Sequence, residues 1–176
     1  MEAEIIERLR TRFDTLDGNG NGFLEKDDFD DEVTRIVSVT GVAAGAPRAQ
    51  LLRDAYRAYW WAMLDRLDKD GDGRISFEEY AEIVHAVDDF KSFAKARADA
   101  VDRFTDFDGD GWIERDDYLA VMVAARFDPA AAGAAYDALV PDQAGKVRAG
   151  RYADLIMEFY DTIGKAGAAQ LLVPPQ

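Results

Sequence analysis

With 176 residues, 48% of them hydrophobic and 11% aromatic, the chain can bury one substantial core or two small lobes that share an interface. It contains no cysteine and a single histidine, which excludes disulfides, thiolate chemistry and imidazole clusters, and with them soft-metal sites. The net charge of −14 disfavours nucleic acid as a partner, and no apolar run approaches the roughly 20 residues of a membrane span.

Met1 to Arg8 mixes acids with apolar residues and lacks the basic, continuously apolar start of a secretory signal, so a cytoplasmic location is expected. Ile5, Leu9, Phe13 and Leu16 then recur at helical spacing and run into Asp17-Gly-Asn-Gly-Asn-Gly. Phe29, Val33, Ile36 and Val37 mark the helix that leaves it, and Gly41 to Pro47 reads as a connector. The clearest stripe is Leu51, Leu52, Ala55, Tyr56, Tyr59, Trp60, Met63, Leu64 and Leu67, which leads into Asp68-Lys-Asp-Gly-Asp-Gly. A fourth helix is expected on Phe77, Tyr80, Val84 and Val87, and a fifth on Phe90, Phe93, Val101 and Phe104. After Asp106-Phe-Asp-Gly-Asp-Gly, a sixth carries Tyr118, Leu119 and Met122. Asp128-Pro129 supplies the N-cap and first-turn proline of a seventh that ends near Leu139, and an eighth holds Tyr152, Leu155, Ile156, Phe159 and Ile163 before Gly164.

The pattern Asp-x-(Asp/Asn)-x-(Asp/Asn)-Gly thus occurs three times, each time with an aliphatic residue two places beyond the last glycine: Leu24, Ile75 and Ile113. An eroded fourth copy spans Val140 to Arg151, with Gly145 sixth, Val147 eighth and Tyr152 just after the twelfth place, where the other copies carry Phe29, Tyr80 and Tyr118. A hard cation of Ca²⁺ size wants six to eight oxygens, and ligands at positions 1, 3, 5, 7, 9 and 12 of such a loop wrap one, with glycine at position 6 permitting the turn. This is the EF-hand arrangement. The second loop meets every requirement: Asp68, Asp70 and Asp72 by side chain, Arg74 by carbonyl, Ser76 directly or through water, and Glu79 as a bidentate carboxylate. The third offers Asp106, Asp108, Asp110, the Trp112 carbonyl, Glu114 and Asp117. The first offers Asp17, Asn19, Asn21, the Phe23 carbonyl, Glu25 and Asp28; with two amides it is expected to be the weakest, a vestigial empty site being the alternative. Aspartate at position 12, in Asp28 and Asp117, is one methylene short of glutamate, so these two loops should tolerate Mg²⁺ better.

Twelve carboxylates stand at these ligand positions, and without them the net charge of −14 becomes −2, so the acidity belongs to cation sites. The fourth loop keeps only Asp142 among side-chain ligands and places Val140 at position 1, Ala144 at position 5 and a cation, Arg151, at position 12. Its expected role is structural: loops pair through position 8, so Val147 should meet Ile113 as Leu24 meets Ile75.

The expected fold is all-α, four EF-hand units in two pairs packed as one globule, with the N-terminal pair in residues 1–89 and the C-terminal pair in 90–176. Four units, a long first linker, one degenerate loop and an aromatic core resemble the sarcoplasmic calcium-binding proteins and calerythrin. That resemblance implies a compact two-pair globule and a role in Ca²⁺ buffering or transport rather than catalysis. A sensor that exposes an apolar groove to a protein partner is the rival; only four methionines and many rigid aromatics favour the closed core and the buffer. No enzyme is expected, there being no nucleophile motif, no phosphate-cradling glycine motif and no partner visible for His85. A monomer is expected, with one of Trp60 and Trp61 buried, close helix packing between Ala124 and Ala138, and a tail, Ala168 to Gln176, that either folds back or frays.

Overall fold

The computed structural model describes residues 3–139, 142 and 144–162; of Glu4, residues 84–90, Phe159 and Thr162 it describes the backbone only. The readings of Val84, His85, Val87, Phe90 and Phe159 as packed or surface side chains, and those on Val140, Ile163, Gly164 and the tail from Ala168, lie outside the described residues.

Helix α1 (Ala3–Leu16) buries the stripe Ile5, Leu9, Phe13 and Leu16, as its four-residue spacing requires. It is followed by strand β1 (Phe23–Leu24) and helix α2 (Lys26–Val39). The connector then leads to α3 (Pro47–Leu67), whose proline occupies the first turn, where no amide is needed. Trp60 is buried and Trp61 is 53% exposed, as adjacency on one helix demands. Strand β2 (Ile75–Ser76) and helix α4 (Phe77–Ala81) follow.

Here the helix boundaries differ from expectation. Helix α4 ends after five residues, and α5 runs from Ile83 to Thr105, so residues 89 and 90 lie inside one helix. The continuity of α5 has a plain cause, since from Glu82 to Thr105 there is no glycine or proline to break it. Strand β3 (Trp112–Ile113), α6 (Arg115–Ala124), α7 (Pro129–Ala138), β4 (Val147–Arg148) and α8 (Arg151–Thr162) complete the order. Asp128 caps α7 by accepting from the Ala131 amide at 2.9 Å.

The loops pair as the eighth-position rule predicts. Strand β1 runs antiparallel to β2 with Leu24 opposite Ile75, and β3 to β4 with Ile113 opposite Val147. All four aliphatic side chains are buried. The Tyr136 hydroxyl lies 2.8 Å from the carbonyls of both Ile113 and Gly145, donating to one at a time and tying α7 to the second loop pair.

Aromatic side chains fill the core: Trp60, Tyr56, Tyr59, Tyr80, Tyr136, Phe13, Phe29 and Phe104 are all nearly or fully enclosed. Within it lie charges that the apolar pattern did not announce. Arg97 of α5 reaches Glu32 of α2 at 3.6 Å, and the Tyr56 hydroxyl of α3 donates to the same carboxylate oxygen at 2.8 Å. Asp102 of α5 accepts the Ala153 amide at 2.9 Å and so caps α8; burial raises its carboxyl to about 7 despite that bond. Among the described residues no helix is long and apolar enough to cross a membrane.

Candidate metal centres

Each intact loop is wound around its first aspartate. The position 4 amides of Gly20, Gly71 and Gly109 donate to one oxygen of Asp17, Asp68 and Asp106 at 2.7 to 2.8 Å, and the position 6 amides of Gly22, Gly73 and Gly111 donate to the other at 2.8 to 3.0 Å. Both turns need φ near +80°, the left-handed region where glycine carries no steric cost. The glycine at position 4 is thus as much a part of the turn as the one at position 6.

Phe23 and Trp112 open strands β1 and β3, and Arg74 immediately precedes β2. The twelfth residue of each loop is the third residue of the exiting helix, and the ninth is its N-cap. In the second loop this makes a capping box: Glu79 accepts from the Ser76 amide and hydroxyl at 2.8 Å, and Ser76 Oγ accepts from the Glu79 amide at 3.3 Å. The other Glu79 oxygen takes the Lys69 amide at 2.9 Å. Desolvation pushes the Glu79 carboxyl up, but these donors outweigh it and hold it below the ordinary carboxylate range. Carboxylate oxygens of Asp68, Asp70 and Glu79 lie within 4.8 Å of one another. Asp72 stands apart from that cluster: the Arg74 guanidinium takes its Oδ2 at 2.8 Å and lowers its pKa, while lying 4.1 Å from the centre of the Phe23 ring.

In the first loop the shorter Asp28 makes the same two contacts as Glu79. It accepts the Gly18 amide at 2.9 Å and the Glu25 amide at 2.8 Å, positions 2 and 9 as before. Gly18 makes this possible, because a Cβ there would stand 3.2 Å from Asp28 Oδ1. Asp17 and Asp28 are buried, and burial raises the Asp28 carboxyl. Asn19 and Asn21 accept amides of their own turn, and Asn21 Nδ2 donates to Glu25 at 2.6 Å. The ligand pattern does not name Gly18; its signal in the sequence is that the only loop with glycine at position 2 is one that ends in aspartate.

The third loop brings Asp106, Asp108 and Asp110 within 4.8 Å of one another. Asp117 is not in that group and makes no hydrogen bond among the described residues; burial, then Glu114, Asp108 and Asp116, raise its carboxyl. A counter-charge for Asp110 and Glu114 comes from the fourth loop. Lys146 lies 2.5 Å from Glu114 and 3.2 Å from Asp110, which hold its ammonium pKa well above the ordinary value. In the fourth loop Asp142 Oδ1 accepts the amides of Ala144 and Lys146, both at 2.9 Å, and Arg151 is paired with Asp154.

All the clustered donors are oxygens in turns between packed helices, which suits a hard divalent ion, and such an ion supplies the positive charge that they lack. Comparison with known proteins agrees. Residues 6–85 match the EF-hand domain pair family. Calerythrin of Saccharopolyspora erythraea is 25% identical over 164 residues, which cover 90% of this chain and 93% of calerythrin. A calcium-binding protein of Streptomyces coelicolor superposes with a TM-score of 0.80 at 29% identity, over 90% of this chain and 98% of that one. The sarcoplasmic calcium-binding protein of amphioxus shares the fold, with a TM-score of 0.70 at 20% identity over the full length of both. Residues 6–85 thus match an EF-hand domain pair, and the chain as a whole is similar to calerythrin and shares the fold of the sarcoplasmic calcium-binding protein of amphioxus.

Proposed function

We propose that this protein is a cytoplasmic Ca²⁺ buffer or signal modulator in which three loops bind metal and the fourth is structural. The ligands would be Asp17, Asn19, Asn21, Phe23 and Asp28; Asp68, Asp70, Asp72, Arg74 and Glu79; and Asp106, Asp108, Asp110, Trp112 and Asp117, with Phe23, Arg74 and Trp112 acting through their carbonyls. The observation that carries the reading is the convergence of three carboxylates on one another in each of loops two and three, beside a core already closed by aromatics. Three divalent ions would change the net charge from −14 to −8, so binding and stability are coupled. The loops ending in Asp28 and Asp117 would also accept Mg²⁺.

A second reading, the sensor, has one observation in its favour: Leu51, Trp61 and Phe93 are exposed along grooves between α3 and α5. Calorimetric titration with Ca²⁺, with and without Mg²⁺, should find three sites, two of them weakened by Mg²⁺; heat from one site only contradicts the reading. An apolar-surface dye should brighten little on Ca²⁺ addition, whereas a strong Ca²⁺-dependent signal at unchanged helicity would favour the sensor.

A further inference from the structure

The register of the two loop pairs places one side chain where no alignment of ligands would look for it. With position 8 opposite position 8, the antiparallel register sets position 7 of the second loop in each pair directly across from position 9 of the first. Both second loops carry a cation there, Arg74 and Lys146, and both first loops carry a glutamate, Glu25 and Glu114. In the N-terminal pair the cation turns back on its own loop, onto Asp72. In the C-terminal pair it crosses over: Lys146 Nζ lies 2.5 Å from Glu114 and 3.2 Å from Asp110 Oδ2. Asp110 Oδ1 is taken by the Trp112 amide at 2.8 Å, so the ammonium sits on the one oxygen of that carboxylate that no backbone amide occupies. The cross-strand pairing fixes it there, next to Val147, while Asp142 holds the backbone of its own turn.

We propose that Lys146 is an affinity-determining residue of the third loop: a tethered cation, delivered by the degenerate fourth loop, that neutralises Asp110 and Glu114 when the site is empty and must yield them when a divalent ion enters. This rests on the third loop being a metal site. It gives the fourth loop a second task besides pairing. The side chains in this contact are 33 to 39% exposed to water, so its effect on affinity is modest.

The Gly111 amide, which donates to Asp106 at 3.0 Å, reports the third loop, as the Gly73 amide reports the second. Ca²⁺ titrations followed at these two amides by NMR should show the Gly111 midpoint falling roughly 2- to 5-fold in Lys146→Met, the upper part of the range expected for removing a partly exposed ion pair. Lys146→Arg should stay near the wild type. Lys95→Met, which removes a charge from the exposed face of α5, should leave both midpoints unchanged. An unchanged Gly111 midpoint in Lys146→Met, or equal tightening in Lys146→Arg or Lys95→Met, overturns the proposal alone. A Gly111 amide that responds to Ca²⁺ in neither wild type nor variant overturns the reading of the third loop, and this proposal with it.

Discussion

Replacing Glu79 by glutamine is expected to weaken Ca²⁺ binding at the second loop by about 100-fold, since ligand charge tunes these sites over several decades. The substitution removes one negative charge from a cluster of three carboxylates and sets an NH₂ group against a backbone amide, at Lys69 or at Ser76, that now donates to an oxygen. Because β2 is hydrogen-bonded to β1, the first loop should weaken with it, whereas the third, paired with β4, should not. Calorimetry would register the loss, and Glu78→Gln, one residue away and exposed, should behave like the wild type. Equal loss from Glu78→Gln would mean that bulk charge, not loop closure, sets the affinity.

The second large effect is on stability and needs no metal. Glu32 is a buried carboxylate facing Arg97, and Arg12 is buried close enough to repel Arg97. Glu32→Gln keeps the shape and an acceptor for the Tyr56 hydroxyl, but leaves the guanidinium without its anion. Breaking a buried pair from one side costs about 3–5 kcal/mol. For a chain of this size the melting temperature in chelator should fall by about 10 °C. Replacing Glu32 and Arg97 together by leucine should recover most of the loss, because an apolar pair leaves no charge stranded. A single-variant cost below about 1 kcal/mol would show that water reaches the pair.

The position 8 aliphatics, the loop glycines and most of the apolar stripes were legible because each answers to one local rule, a turn that needs glycine or a period that needs a core; Leu51 and Phe93 fit the period but stand exposed. From those rules follow the two loop pairings, the connector, the capped seventh helix and the choice of Trp60 over Trp61. What escaped depends on contacts between elements. No local pattern singles out Arg97 and Glu32, which are buried only where α2, α3 and α5 meet. The fourth helix ends at Ala81 and not beyond Val87, a boundary that no proline or glycine marks. Asp28 and Asp117 are the same residue at the same loop position, yet only Asp28 has a glycine at position 2 to close against. Lys146 could have been found from sequence, since pairing at position 8 already sets position 7 of one loop beside position 9 of the other.

The central claim, that three of the four loops take a divalent ion and the fourth does not, can be read at four equivalent atoms. The amides of Gly22, Gly73 and Gly111 each donate to a carboxylate that would hold the ion, while Gly145 donates to the Asp142 carbonyl at 2.9 Å. In an ¹H–¹⁵N correlation spectrum recorded across a Ca²⁺ titration, the first three resonances should move far downfield and Gly145 should stay near its starting place. Three stationary glycines, or a Gly145 that moves with them, would contradict the account.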